Sequence, residues 1–284
     1  MTMLVNPFFF GASVSAGYLD DFSPAPRVAY SLRKVISTAT VAIRVRRSSD
    51  NAEQDIGFAG DALDTAALAA FVGSNSAFVT TFYDQTATGI NLVQATAASQ
   101  PRIVNAGAFD GAAIFDGTND WMSAASVPFG TAYAAAYMKA AMPNQSALAI
   151  MLESSSNYNN GSGRFIWYME NNLHALGTRA AVSYRRDYSI SSATSLRVIT
   201  NRYQMATSDA SIAQQRFRVD GVDISSVASV GTPATPSVNF TTQTLYLGCR
   251  AGSAFFAPVQ IHTLAVYAAD TDAIVSSIEA VVGV

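Results

Sequence analysis

Residues 214–222 read QQRFRVDGV, a short β-rich run that ends in an Asp-Gly pair. Asp220-Gly221 supplies the positive φ angles of a tight turn, so Val219 and Val222 close a hairpin. Similar short runs flank it on both sides, at residues 78–83, 102–104, 112–115, 133–139, 148–152, 164–169, 181–185, 196–202, 244–248 and 259–267. Gly, Asn, Asp, Ser or Pro clusters separate most of them, which is the spacing of an antiparallel sandwich. Residues 40–46, TVAIRVR, alternate Val41, Ile43 and Val45 with Ala42, Arg44 and Arg46, the period of a strand with one buried face. We expect helices at only three places: around Val28, Leu32, Val35 and Ile36; from the cap Asp64 through Leu68, Phe71 and Val72 to Gly73; and over residues 272–282. Residues 157–163 and 225–237 read as long exposed loops.

The chain has 284 residues, a length that suits one sandwich domain. We expect an arm at residues 1–25 and the sandwich at residues 26–284. Half the chain (50%) is hydrophobic and only 13% is charged, yet the longest apolar runs are far too short to span a bilayer, so membrane insertion is not expected. The net charge is -3 and there is no run of Lys or Arg, which argues against a nucleic-acid partner. The single cysteine, Cys249, has no intramolecular disulfide partner, pointing to folding in a reducing cytoplasm. No basic residue precedes the apolar start, and Asn6-Pro7 interrupts it, a poor match to a secretory signal. Leu4, Val5, Phe8, Phe9 and Phe10 read instead as an arm that buries itself on another subunit, or on its own domain.

Metal chemistry has little support, because His174 and His262 are far apart in sequence and no zinc-ligand spacing exists. No cofactor is expected, although a calcium site of scattered carboxylates and carbonyls stays open. Phosphate loops are absent, and neither histidine sits in a nucleophile-elbow context. Carboxylate chemistry remains. Trp167, Tyr168, Tyr158, Tyr184 and Tyr188 surround Glu170 in sequence with Arg185 and Arg186 close by, a set that reads either as a sugar platform or as sheet packing.

Three stretches carry a resemblance. Residues 29–32 (AYSL) with 42–50 (AIRVRRSSD), residues 82–89 (FYDQTATG), and residues 169–173 (MENNL) are similar, in order, to segments of the catalytic domain of the α-L-arabinofuranosidase B family, a concanavalin A-like sandwich. The resemblance implies an all-β, antiparallel jelly-roll β-sandwich and places the family's nucleophile on Glu170. It also places the acid/base position on Gly252, within a segment from Leu245 to Val266 that holds no Asp or Glu. The family's adjacent cysteine pair is missing, and Tyr168 stands where the family has a sugar-contacting Asp. A retaining glycosidase needs two carboxyl groups, so an acid would have to come from elsewhere, such as Glu153 or Asp187.

Two further stretches, residues 115–121 (FDGTNDW) and 219–222 (VDGV), resemble hairpins of laminin-G-like and concanavalin A-like domains, and could equally be plain turns. The apolar start and low charge resemble structural or receptor-binding proteins of tailed bacteriophages. On these grounds we expect a non-catalytic virion protein of fibre or decoration type, held to other virion proteins by the arm and forming a homo-oligomer, with a trimer as the guess. Glu170, Asn171, Asn172, Tyr168, Trp167, Asp84, Gln85 and Tyr158 are its candidate contacts to a host glycan. The alternatives are a retaining arabinofuranosidase using Glu170, and a decoration protein with no ligand.

Overall fold

The computed structural model describes residues 17–143, 147–155, 158–159, 162–179, 183–190, 193–205, 215–230 and 239–284. The expected arm residues Leu4, Val5, Phe8, Phe9 and Phe10 lie outside this set. Asp220 and Gly221 take φ of 49° and 79°, and the turn they make joins Gln215–Val219 to Val222–Ile224. The expected hairpin is therefore present.

All the strand pairings described are antiparallel, and they build two layers. One layer runs Val28–Ser31, Gln260–Tyr267, Tyr133–Met142, Ala193–Gln204, Gln215–Val219 and Val222–Ile224. The other starts at Glu53–Ala59 and continues through Val41–Arg47, Ala77–Phe82, Leu92–Val93, Met122–Val127 and Gln243–Leu247. It then carries on through Ala149–Ser154, Arg164–Glu170, Leu173–Arg179, Ser183–Tyr188 and Ser226–Val230. The hairpin Arg102–Asn105/Ala108–Ile114 pairs with both layers and nearly closes one side. The fold is thus an all-β sandwich.

Strand alternation sends Phe165, Trp167 and Met169 into the space between layers. There Phe165 stacks on Tyr203 of the opposite layer at 4.6 Å, and Trp167 meets Phe217 edge-on at 5.8 Å. A second apolar cluster lies on the outer face of the first layer, where Tyr137 and Tyr267 are covered by Ile278, Val281 and Val282 of the C-terminal helix Val275–Gly283. Leu19, fully buried, joins that cluster, so packing of the domain begins ahead of residue 26. Among the described residues no helix is long and apolar enough to cross a membrane.

Asp64 caps Thr65–Val72 as expected, its carboxylate accepting from the Ala67 amide at 2.8 Å. The helix expected around Val28 to Ile36 is instead the strand Val28–Ser31. All four of its residues are buried, and a short run buried on both faces has no period to separate helix from strand. Within the expected loop at 225–237, the edge strand Ser226–Val230 forms instead. Its residues are small or exposed, so it gives no alternating signal.

Candidate active site

The hairpin after Arg164–Glu170 turns on Asn171 and Asn172, whose φ angles are 51° and 61°. Asparagine tolerates the left-handed region better than other side chains, so the pair fixes a two-residue turn. Glu170 is left as the last residue of its strand, opposite Leu173. Tyr168, two residues back, shares its outward face. Across the sheet Tyr168 pairs with Ala175, and Ala175 pairs with Asp187. Register therefore brings Asp187 to the same face as Glu170, two strands away.

Tyr168, Glu170, Asn171, Leu173, Ala175, Arg185 and Asp187 line one pocket of about 50 Å³. Arg185 donates from Nη1 to the Tyr168 hydroxyl at 2.7 Å. Its Nε and Nη2 face the two carboxylate oxygens of Asp187 at 3.3 and 3.4 Å, a stretched fork. Burial pushes the Asp187 carboxyl above the usual carboxylate range, Arg185 pulls it back, and the negative charge of Glu170 raises it again. Burial also raises the Tyr168 phenol. A second cavity, of about 220 Å³, adjoins across Tyr168 and Arg185 and is walled by Tyr158 and Val230. Gly177 makes room for Tyr158, since a Cβ there would lie 2.6 Å from the Tyr158 hydroxyl.

Residues 26–163 match the family described as "Alpha-L-arabinofuranosidase B, catalytic". An α-L-arabinofuranosidase of glycoside hydrolase family 54, soaked with a cyclic sulfate inhibitor, superposes with a TM-score of 0.63 at 14% identity over 91% of this chain. The chain resembles the catalytic domain of the α-L-arabinofuranosidase B family. An arabinofuranosidase complexed with arabinofuranosyl-α-1,2-xylobiose gives a TM-score of 0.62 at 15% identity, again over 91% of this chain. The chain spans 63% and 62% of those two structures. No curated protein matches the sequence. The relatives named are glycosidases, which overturns the expectation of a non-catalytic virion protein and of a ligand-free decoration protein. The family match stops before Glu170, so the link of Glu170 to that family rests on residues 169–173 and on the shared fold, while Asp187 is tied to Glu170 by the pocket they share.

Not every candidate contact of this arabinofuranosidase-like domain reaches the pocket. Glu170, Asn171 and Tyr168 line it, Asn172 is exposed on the adjoining turn, and Tyr158 walls the second cavity. Trp167 does not reach it. It points between the layers, fully buried, and donates to His174 Nδ1 at 3.2 Å. His174 is itself buried, and burial lowers its pKa to about 4, which keeps it neutral.

Asp84 and Gln85 line a different cleft and act as ties within the fold. Gln85 is buried: its amide donates to the Ser31 and Arg33 carbonyls at 3.0 and 2.8 Å, and its carbonyl accepts from the Val35 amide at 2.8 Å. Asp84 accepts from the Ala29 and Thr86 amides at 2.9 and 3.1 Å. With their polar atoms so engaged, both residues anchor the first strand, and neither joins the Glu170 pocket. The stretch 115–121 is likewise a self-bonded turn, where Asp116 accepts from the Thr118 amide at 2.7 Å and Asp120 from the Asp116 amide at 3.0 Å.

Of the two substitute acids, Glu153 is fully buried, hydrogen-bonded by Ser155, and sits opposite Ile166. Asp187 alone shares the pocket with Glu170. The family's acid position, Gly252, lies in a turn with φ of 74°, where a Cβ would come within 3.0 Å of the Trp121 ring. Its amide donates to the Cys249 sulfur at 3.2 Å, and burial pushes that thiol up to about 12. The sequence signal that finds Asp187 is the alternation of residues 183–188 beside the Leu173–Arg179 strand, which in turn pairs with Arg164–Glu170, and it is legible only once both registers are known.

Proposed function

We propose that this chain is a glycoside hydrolase acting on α-L-arabinofuranosides, with Glu170 as nucleophile and Asp187 as acid/base. The observation that carries the reading is the shared pocket: a carboxylate at a strand end, and beside it a second carboxyl whose surroundings favour its proton. The substrate class comes from the fold relatives, one bound to an arabinofuranosyl xylobiose and one soaked with 4-nitrophenyl α-L-arabinofuranoside.

In the first half-reaction a Glu170 oxygen attacks the anomeric carbon while the glycosidic bond breaks, and Asp187 gives its proton to the leaving oxygen. In the second, the Asp187 carboxylate takes a proton from water, whose oxygen displaces Glu170 and frees the sugar. The small pocket receives the anomeric carbon and leaving oxygen. The adjoining cavity, with two tyrosines for walls, receives the attached sugar. Incubating the chain with 4-nitrophenyl α-L-arabinofuranoside tests this: nitrophenol release by the wild type, abolished in Glu170→Gln with the circular dichroism unchanged, supports it. No release by the folded wild type overturns it.

A further inference from the structure

The Ser183–Tyr188 strand sends Arg185 and Asp187 to the Glu170 face and Arg186 and Tyr188 to the other. Arg186 opens onto a cleft of about 470 Å³ at the edge of the sandwich, where the chain crosses from Val222–Ile224 in one layer to Ser226–Val230 in the other. That volume lies within the range of small-molecule sites, roughly 300–1,000 Å³.

The charges around the cleft do not cancel. Asp223 is forked by Arg216, with one arm at 2.7 Å, and is reached by Arg218 at 2.8 Å. Asp272 is held by Arg202 and by Arg216, the latter at 3.1 Å. Arg186 has no carboxylate partner among the described residues; its Nε donates to the Tyr184 hydroxyl at 3.1 Å and its guanidinium also meets the Tyr188 hydroxyl, so its charge is met by hydroxyls rather than by an acid. A second polar group is also unmatched. Gln215 is fully buried at this cleft, its amide donating to Thr178 at 2.9 Å, and its side-chain carbonyl has no donor.

We propose that this cleft binds a saccharide bearing a carboxylate, with the acid group on the Arg186 fork and sugar hydroxyls on the remaining polar groups. Planar guanidinium and carboxylate match as two parallel charge-assisted bonds. One guanidinium without an acid partner beside two aspartates suits one carboxylate at a time, whereas a phosphate dianion, which carries both its charges on one group, would be repelled by Asp223 and Asp272. Hydroxyl donors satisfy what a bare anion leaves open, the Gln215 carbonyl. The site is independent of the Glu170 pocket and stands or falls without it.

The test is calorimetric titration of the full chain at low salt with digalacturonate and with its uncharged counterpart galactobiose. Digalacturonate binds at least tenfold more tightly, the affinity falls as salt is added, and Arg186→Gln loses at least tenfold while Arg186→Lys loses less. Thermal unfolding of both variants confirms that the fold is kept, and nitrophenyl arabinofuranoside turnover is the same in both as in wild type. Equal affinity for the two disaccharides overturns the proposal. So does unchanged digalacturonate binding in Arg186→Gln, or inorganic phosphate binding as tightly as digalacturonate.

Discussion

Arg185 and Asp187 face each other as a stretched fork, 3.3 and 3.4 Å between nitrogen and oxygen, on alternate positions of one strand. The guanidinium stabilises the carboxylate and so opposes the burial and the Glu170 charge that favour its proton. An acid catalyst works only while protonated, so the alkaline limb of the rate profile follows the Asp187 pKa. Removing the cation in Arg185→Gln raises that pKa and moves the limb to higher pH, by about one unit, a typical size for one adjacent charge. The check is kcat/KM against pH. A limb that stays or moves down would separate Asp187 from proton donation.

Glu170 acts on Asp187 in the opposite direction, and this can be read without turnover. Its negative charge raises the Asp187 carboxyl, so Glu170→Gln lowers that pKa. Carbon-detected NMR titration of the Asp187 side chain in the two proteins checks the sign. An unchanged titration would mean the two groups do not sense each other.

Gly252 predicts a failed repair. Restoring the family's acid as Gly252→Asp puts a Cβ within 3.0 to 3.3 Å of three Trp121 ring carbons on a backbone with φ of 74°. The left-handed conformation alone costs about 1–2 kcal/mol for a residue with a Cβ. The variant melts lower than wild type and gains no hydrolysis, and Trp121→Ala added to it recovers part of the melting temperature.

Asp120 predicts a pH dependence of stability. It is almost wholly buried, and burial raises its carboxyl to about 7 from an ordinary 3.8. The folded state therefore holds the proton more tightly than the unfolded chain. The stability this contributes is complete below about pH 4 and is lost as pH rises through about 7. At 1.36 kcal/mol per unit the full swing is up to about 4 kcal/mol. Asp120→Asn flattens the decline, so urea unfolding shows it more stable than wild type at pH 8 and similar at pH 4.

Most of the sandwich is legible in the sequence because its strands announce themselves locally: TVAIRVR by alternation, Asp220-Gly221 by its turn, Thr65–Val72 by the Asp64 cap. Val28–Ser31 hides because both its faces are covered. Glu53–Ala59 hides because its first three residues are exposed and charged or polar, as an edge strand permits. The site was half visible. Glu170 sits in a stretch whose two asparagines are demanded by the turn, so the match at residues 169–173 marks a backbone as well as a chemistry. Asp187 stands in the sequence only as one of two possible acids beside Glu153, because what joins it to Glu170 is the register of three strands through Leu173 and Ala175, a non-local quantity. Asp84 and Gln85 enter as candidates through the resembling stretch 82–89 and Trp167 through its nearness to Glu170 in sequence, and only burial and bonding partners show that they tie the scaffold together.

The central claim is that Asp187 is the acid/base to Glu170. The most direct measurement is the azide response of Asp187→Ala hydrolysing 4-nitrophenyl α-L-arabinofuranoside. Nitrophenol is a good leaving group, so attack by Glu170 proceeds without the acid, while the following hydrolysis lacks its base and stalls. The account predicts a slow variant that azide accelerates at least tenfold, yielding the arabinosyl azide. A variant as fast as wild type, or a slow one indifferent to azide, would contradict it.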